Sequence, residues 1–432
     1  SISSFSIENR KFDLNDQLPV DENVSHRLTV LIPSNAKISQ PYWLVEPMSK
    51  GSYNVSDQTL IGKPQNDPQT ATVDLKIDGE EIAYSIPIQY KSNDPVKGEE
   101  FEPLFIIPKI DVRSNPELAL SINNAHVRIS VKETENNPSG TDFPIKEDFS
   151  SNVVATKKSG DSFYAIKDPG EKNTEMIGWR AVDGNSIYDS YKKLIEYSHI
   201  PDIIYFHNAE SKLVEIDLKT SGKKIGFIPG AGDKVPQALQ KMGYEVSILS
   251  ATDITPNNLK QFDAIVTGVR AYNIYGWLND SYNTLMNYVK EGGVLLVQYN
   301  TNNNIGPVKA KIGPYPFTIS RSRVTDETAA VEFTDPQNVL MNYPNKISQK
   351  DFENWIQERS TYQAENYQTN YQTLFSMHDA NTPPAEGSLI YTDYGKGRFI
   401  YSGLVFFREL PAGVPGAYRL FANLIAKPVS KK

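Results

Sequence analysis

The sequence predicts a multidomain chain in which two β-sandwich domains precede an α/β domain with a mostly parallel sheet. The α/β prediction depends on the stretch from Lys223 to Asn300, where short apolar runs alternate with amphipathic segments and end in glycine or polar turns. The sandwich prediction depends on the upstream half, where short alternating runs are separated by turn residues. The predicted domains cover residues 1–108, 109–219 and 220–432.

Composition limits the possible classes of function. Of the 432 residues, 39% are hydrophobic, and no apolar run is long enough to cross a bilayer. The net charge of -8 is spread along the chain, which argues against nucleic acid as the partner because phosphate binding needs a basic surface. The absence of cysteine excludes disulfides, thiolate metal sites and cysteine nucleophiles. Because the sequence starts without methionine or a signal segment, we expect a piece of a longer protein.

The first predicted domain is an Ig-like sandwich. Its clearest signal is a β-hairpin of residues 73–77 and 82–90 around Asp78-Gly79, a dipeptide that favours a type I′ turn. The aromatic pair Tyr42-Trp43 could stack on a sugar ring, or it could be a core or inter-domain contact.

The second predicted sandwich contains two alternating runs, residues 126–132 and 212–218. Residues 133–151 are rich in Asn, Pro, Ser, Gly and charge, which predicts a long surface loop or a linker. A helical turn is predicted for residues 188–197.

The α/β domain opens with a strand over residues 223–230, a glycine turn, and a helix with Asp233 as its N-cap. Further strands are predicted at residues 244–249, 262–268 and 294–297, with a second amphipathic helix before the last of them. After Asn300 the sequence predicts a lid or insertion over residues 302–316 and a short helix over residues 348–359. A hairpin over residues 389–404, a rigid loop over residues 410–416 and a closing helix over residues 417–425 follow.

Ligands of such sheets bind beyond the carboxyl ends of the strands, so the residues that follow each strand are the candidates. Gly230, Gly232 and Asp233 could hold an anion or polar ligand at a helix N-terminus, or could form only a tight turn; the spacing lacks both nucleotide-binding signatures. The polar residues after the next two strands predict a pocket or a solvated edge, and they are Arg270, Tyr272, Asn273, Gln298, Tyr299 and Asn300.

Three more arginines complete the candidate set. Arg321 and Arg323 could clamp a carboxylate or hydroxyl-rich ligand, or could pair internally with nearby acidic residues. Arg408 follows the last strand and is expected to help form the wall of the same pocket. The five histidines are scattered without metal-ligand spacing, so no metal site is predicted in this chain.

Several runs carry a resemblance to a known family. The segments IGFIPGAGDKVPQALQKMGYEV, FDAIVTGVRAYN, YVKEGGVLLVQYNT, GPYPFTISRSRVTDE and GLVFFRELPAGVPGAYRLFANL resemble the C-terminal region of large bacterial PIG-L (LmbE-like) deacetylases. That family's zinc-binding His-Pro-Asp-Asp stretch does not occur here. The resemblance therefore implies an accessory region, with zinc and N-acetyl-sugar deacetylation confined to a domain before Ser1. The absence of cysteine leaves the compartment open between the cytoplasm and an export route, and we expect a periplasmic or extracellular location.

The last domain is also similar in layout to the flavodoxin-like fold of class I glutamine amidotransferase-like and ThuA-like proteins. In that alignment Tyr299 stands near the position of the amidotransferase nucleophile, where a cysteine would be required. The resemblance therefore implies a retained fold without glutaminase chemistry, which suits a binding domain.

Three hypotheses of function follow. In the first, the chain is non-catalytic and binds carbohydrate or docks the deacetylase domain. In the second, it is an independent hydrolase or isomerase that uses Glu358, Arg408, Glu409 and His378, if folding brings them together. In the third, it is a structural spacer whose strand-edge pocket is filled by its own side chains.

Overall fold

A computed structural model describes residues 1–7, 10–31, 36–46, 48–49, 51–62, 69–125, 127–135, 143–149, 166–167, 174–183 and 185–428. The described chain is rich in β-structure, with a mixed seven-stranded sheet and few helices. None of its helices is long and apolar enough to span a membrane.

The seven-stranded sheet is the centre of the α/β unit. In spatial order its strands are Glu245–Ile248, Lys224–Ile228, Ala264–Thr267, Val294–Gln298, Gly397–Ser402, Leu389–Tyr394 and Gln372–Thr373. The first five run parallel, and Leu389–Tyr394 pairs antiparallel with both of its neighbours, so the sheet is mixed. Strands Ala264–Thr267 and Val294–Gln298 are buried throughout, which accounts for their uninterrupted apolar sequence.

Successive residues of these strands belong to two cores, one on each face of the sheet. Val294 and Leu296 pack with Leu239 and with the closing helix Pro415–Leu424, whereas Leu295 and Val297 pack with helix Tyr282–Lys290. The predicted apolar faces of these helices are therefore buried. The helices of the described chain are Val235–Lys241, Pro256–Leu259, Ala271–Ile274, Trp277–Asp280, Tyr282–Lys290, Val339–Asn342, Phe406–Ala412 and Pro415–Leu424.

Upstream, the described strands form several small sheets. The first is antiparallel in the order Arg10–Asp16, Ile2–Ile7, Thr70–Ile77 and Glu80–Pro87. Its hairpin turns at Asp78 and Gly79, whose φ angles of 49° and 92° confirm the predicted type I′ geometry. Three further small sheets pair Gln89–Asp94 with Gly98–Pro103, Val127–Glu135 with Ile110–Asn115 and Phe143–Phe149, and Ala181–Asp183 with Ser186–Tyr188. The Ig-like sandwiches and the domain boundaries stay predictions.

One upstream sheet packs directly on the α/β unit. It contains Ile166–Lys167, Thr174–Gly178, Glu210–Ile216 and Leu118–Ile122. Val214, Ile216 and Leu218 are buried in the same core as Val235 and Leu239 of the first helix. The region before residue 220 and the α/β unit therefore share apolar contacts.

Two predictions for the upstream region were wrong. Residues 133–151 are not one loop, because Phe143–Phe149 pairs antiparallel with Val127–Glu135; the alternation of apolar residues in that run outweighs its turn residues. The helical turn at residues 188–197 is instead the strand Ser190–Tyr197, which forms a hairpin with Ile200–Asn208. The hairpin brings Tyr191 against His207, with ring centroids 5.8 Å apart.

Two predictions in the last third also need correction. The helix over residues 348–359 is a single 3-10 turn, Gln349–Phe352, with the predicted capping box of Ser348 and Asp351. The chain then leaves the helical conformation, and Asn354 and Gln357 take φ angles of 57° and 66°. The rigid loop predicted from residue 410 is largely helical. Helix Phe406–Ala412 forms there because Phe406 and Leu410, four residues apart, are both buried.

The remaining short strands form three small antiparallel pairs. They pair as Asn304–Ile305 with Val308–Lys309, Thr318–Ile319 with Ala364–Glu365, and Val331–Phe333 with Phe375–Met377. The predicted lid or insertion over residues 302–316 therefore contains a small hairpin.

Candidate functional site

Three loops meet at the carboxyl edge of the parallel strands, as the sequence predicts. The amide of Ala231 donates to the carbonyl oxygen of Val269 at 2.8 Å, and the amide of Val269 donates to Asp233 Oδ2 at 2.9 Å. The amide of Arg270 donates to the carbonyl oxygen of Tyr299 at 2.8 Å. These bonds connect the loops after strands Lys224–Ile228, Ala264–Thr267 and Val294–Gln298.

The first loop has the geometry of the tight-turn alternative. A Cβ atom on Gly230 would lie 2.1 Å from the carbonyl oxygen of Val269, so only glycine fits. Gly232 takes a φ of 101°. Asp233 is not the N-cap, which is Lys234, but its Oδ1 accepts from the amide of Val235 at 3.0 Å. Burial raises the pKa of Asp233, although its two backbone hydrogen bonds oppose that shift. The carboxylate thus connects two loops.

The next group of predicted residues forms an internal hydrogen-bond network. Asn300 Oδ1 accepts from the amide of Tyr272 at 3.0 Å, and Asn300 Nδ2 donates to the carbonyl oxygen of Gln298 at 3.1 Å. All three residues are buried, and burial raises the pKa of Tyr272. Asn273 Oδ1 accepts from the amide of Thr301 at 2.9 Å. These side chains therefore connect the loops at this edge of the sheet.

Tyr299 lies in an aromatic cluster that we define as Tyr299, Tyr362 and Phe407. Its ring centroid is 5.6 Å from that of Tyr362, with the rings nearly parallel at 8°, and 5.2 Å from that of Phe407. All three rings are half-buried. Burial raises the pKa of Tyr299, while the positive charges of Arg270 and Arg408 oppose the shift. The cluster is therefore partly accessible to solvent at this edge of the sheet.

Two arginines of the predicted site converge on Glu358, whose side chain is 4% exposed. Arg323 Nη2 lies 2.5 Å from Glu358 Oε2, and Arg408 Nη2 lies 3.2 Å from Glu358 Oε1. The hydrogen bond to Glu358 raises the pKa of Arg323. Arg408 also lies over Phe407, with its Cζ 5.0 Å from the ring centroid. Arg323 therefore pairs internally, which was one of the two alternatives, while Arg270 and Arg321 are exposed.

Sequence reasoning did not find Tyr362. This residue lies more than sixty positions from Tyr299, and its φ of 49° is unusual for tyrosine. No local pattern around it marks a site. By contrast, Gly230, Arg270 and Tyr299 follow the ends of parallel strands, which is why the topology could locate them.

The four residues of the enzyme hypothesis are only partly brought together. Glu358 and Arg408 form an ion pair, but His378 is exposed and its Nδ1 lies 2.9 Å from the carbonyl oxygen of Asp379. Glu409 is fully buried and accepts from the amide of Ile356. Among the described residues, the hydrogen bonds of Tyr299 and Asn300 include no carboxylate or histidine, and no group of three His, Asp or Glu side chains could hold a metal ion.

Three cavities open elsewhere in the described chain. One of about 510 Å³ lies beside Asp351 and Arg419, and one of about 350 Å³ lies beneath residues 309–317. A third, of about 510 Å³, lies between Glu117 and helix Val235–Lys241. None of these three is lined by a predicted site residue.

The ion pairs of Glu358 lead to a first prediction. We expect Glu358→Gln to lower the free energy of unfolding by about 1–2 kcal/mol, because two guanidinium groups lose a buried anionic partner. The effect is at the lower end for a buried pair, since Arg323 and Arg408 remain 51% and 33% exposed. Urea denaturation would measure it, with the exposed Glu332→Gln as control. Equal stability of both variants and the original chain would contradict the prediction.

No family model and no curated protein match the sequence. Solved structures similar to this chain include a ThuA-like protein from Bacteroides uniformis, with 14% identity, 48% of this chain and 91% of that chain covered, and a TM-score of 0.31. A β-galactosidase from Rahnella sp. R3 has 13% identity and a TM-score of 0.30, and the match covers 47% of this chain and 31% of that enzyme.

An exo-β-1,4-mannosidase from an Opitutaceae bacterium has 15% identity and a TM-score of 0.29, and the match covers 49% of this chain and 37% of that enzyme. This chain therefore spans only about a third of the length of both glycosidases. The ThuA-like part of the predicted resemblance has a counterpart among these three structures, and the PIG-L part has none. With TM-scores near 0.3, these likenesses establish neither a shared fold nor a shared function.

Proposed function

We propose that this chain is a carbohydrate-binding region and that the aromatic cluster with its neighbouring arginines is the binding surface. The observation that carries the proposal is the placement of three half-buried aromatic rings beside guanidinium groups at the carboxyl edge of the sheet. Aromatic rings with one apolar and one accessible side are suited to the C–H face of a sugar ring. Guanidinium groups donate several hydrogen bonds and can bind sugar hydroxyl oxygens.

The arrangement of Arg323 and Arg408 supports this surface. Glu358 lies between their guanidinium groups and holds both in fixed positions, so less side-chain entropy is lost when a ligand binds. Arg270 lies near Tyr299, and its backbone is in the left-handed region with a φ of 61°. A polar ligand above the rings would thus meet the oriented guanidinium groups of Arg323 and Arg408 beside the exposed Arg270.

The finer proposal is that this region belongs to a longer PIG-L-like deacetylase. In that arrangement the surface binds the carbohydrate substrate or docks the catalytic domain, and zinc is held only by that domain. A periplasmic or extracellular location is part of the same proposal. Its support is the sequence resemblance.

The alternative, an independent hydrolase or isomerase, has weaker support. Both carboxylate oxygens of Glu358 already lie in ion pairs, Oε2 with Arg323 and Oε1 with Arg408. Glu409 contacts the amide of Ile356 inside the core rather than the exposed surface.

Titration calorimetry with N-acetylglucosamine oligomers tests the proposal. We expect Tyr299→Ala and Arg270→Asn each to weaken binding by about tenfold or more, because each removes a group at the centre of the contact surface. Asparagine at position 270 tolerates the left-handed backbone, so the change isolates the guanidinium. Tyr197→Ala, at an exposed tyrosine of the upstream hairpin, is the matched control.

Two outcomes would count against the proposal. Unchanged affinity in both surface variants would remove the aromatic cluster from the binding site. Absence of binding to a wider glycan array, together with no association with a separately expressed deacetylase domain, would leave the spacer hypothesis.

A further inference from the structure

A cavity of about 510 Å³ separates the α/β unit from the sheet upstream of it. One wall is the turn that contains Asn115 and Glu117, and the opposite wall is formed by helices Val235–Lys241 and Phe406–Ala412. Three lysines line it: Lys212 of strand Glu210–Ile216, and Lys234 and Lys241 at the two ends of helix Val235–Lys241.

Two of these lysines are held by the backbone. Lys212 Nζ donates to the carbonyl oxygen of Ala412 at 2.6 Å, and Lys241 Nζ donates to the carbonyl oxygen of Leu118 at 2.9 Å. An ammonium group has three donors, so each retains donors after this bond. The two bonds connect the upstream sheet to the α/β unit across the cavity and fix the positions of both charges.

The cavity is electropositive in an acidic protein. Within the described residues, none of its three ammonium groups lies within 4 Å of a carboxylate. Glu117 is the lining residue with a negative charge, and it accepts a hydrogen bond from Tyr191. Burial lowers the pKa of Lys212 and Lys241, and the charge of Lys234 adds to the effect on Lys241. A bound anion would offset this unfavourable clustering of positive charge.

We propose that this lysine cavity binds a small molecule that carries a phosphate or sulfate group. Three positive charges and one negative charge leave an excess that matches a doubly charged oxyanion. Lysine ammonium groups bind such anions as point charges, without the planar geometry that arginine imposes. The cavity is larger than one oxyanion and its far wall is apolar, with Leu410 and Pro411, so the rest of the ligand can be accommodated there.

Calorimetric titration with inorganic phosphate, and separately with sulfate, tests this proposal at constant ionic strength. We expect Lys234→Met and Lys241→Met each to weaken phosphate binding by about tenfold, and the double variant to weaken it by about a hundredfold. Methionine keeps much of the side-chain length while the charge is removed. Lys260→Met, at an exposed lysine outside the cavity, should bind as the original chain does.

Thermal denaturation provides a second measurement on the same proteins, because a ligand that binds only the folded state raises the melting temperature. Phosphate should raise it for the original chain and for Lys260→Met, and much less for the double variant. The proposal fails if the original chain binds neither anion, or if the double variant binds as tightly as the original. Equal weakening by Lys260→Met would mean diffuse surface attraction, which would also overturn it.

Discussion

Replacement of Gly230 by alanine is expected to lower the free energy of unfolding by about 3 kcal/mol or more. A Cβ atom at this position would lie 2.1 Å from the carbonyl oxygen of Val269 and 2.7 Å from the carbonyl carbon of Gly268. Both are backbone atoms, so no side-chain rotation can relieve the overlap. The two loops would have to separate, which would weaken the bonds from Ala231 to Val269 and from Val269 to Asp233.

Gly276→Ala is the matched control for this substitution. Its φ of -59° is helical, and the nearest atom to a new Cβ, Ile305 Cγ2, would be 3.8 Å away. We expect this variant to keep the stability of the original chain within about 0.5 kcal/mol. Urea denaturation of the two variants would compare them directly. If Gly230→Ala unfolds at the same urea concentration as Gly276→Ala, the close approach of the two loops is not essential.

The core of the α/β unit was predictable because its sequence pattern is local. Val294 and Leu296 face one core and Leu295 and Val297 the other, and such a double burial produces the uninterrupted apolar run that marks a parallel strand. Leu285, Met286 and Val289 are buried at helical spacing between two turns, so their helix was equally visible. The strand ends, and with them Arg270 and Tyr299, follow from these elements.

The assembled site was not predictable in the same way. Tyr362 and Glu358 come from an irregular segment, and their partners Tyr299, Arg323 and Arg408 are distant in sequence. Only tertiary packing brings them together, and no residue spacing encodes it. The sequence also did not reveal that Asp233 would bind two backbone amides, because the second amide belongs to another loop.

The hairpin at Ser190–Tyr197 shows a different limit. Its sequence, SYKKLIEY, contains lysine, leucine and glutamate, which favour helices when considered alone. Pairing with Ile200–Asn208 supplies a long antiparallel ladder, so tertiary context overrides local propensity.

The second large effect concerns Glu409, which lies in helix Phe406–Ala412 with no exposed surface. Burial raises its pKa from 4.5 to about 8, while the amide of Ile356 and the charges of Arg359 and Arg408 oppose the shift and Glu327 adds to it. The charge of Glu409, in turn, raises the pKa of Lys212, against the lowering that burial causes. The neutral acid is therefore the favoured form in the folded chain at neutral pH.

The direction of the pH effect follows from proton binding. Between about pH 4.5 and pH 8 the folded chain keeps the proton of Glu409, whereas the unfolded chain loses it. The unfolded state therefore binds fewer protons, and stability falls as the pH rises through this interval. As the pH rises from 5 to 8, we expect the titration of Glu409 to lower the free energy of unfolding by on the order of a few kcal/mol.

Glu409→Gln should remove that part of the pH dependence, because the amide keeps the size of the side chain and an acceptor for Ile356 but cannot ionise. We expect urea denaturation at pH 5, 6.5, 8 and 9 to show that the free energy of unfolding of the variant increases relative to that of the original chain as the pH rises. Glu353→Gln, at an exposed glutamate, controls for the loss of a negative charge and should follow the original chain. Parallel pH profiles for all three proteins would mean that Glu409 is ionised in the folded state at neutral pH, with Arg359 and Arg408 outweighing its burial.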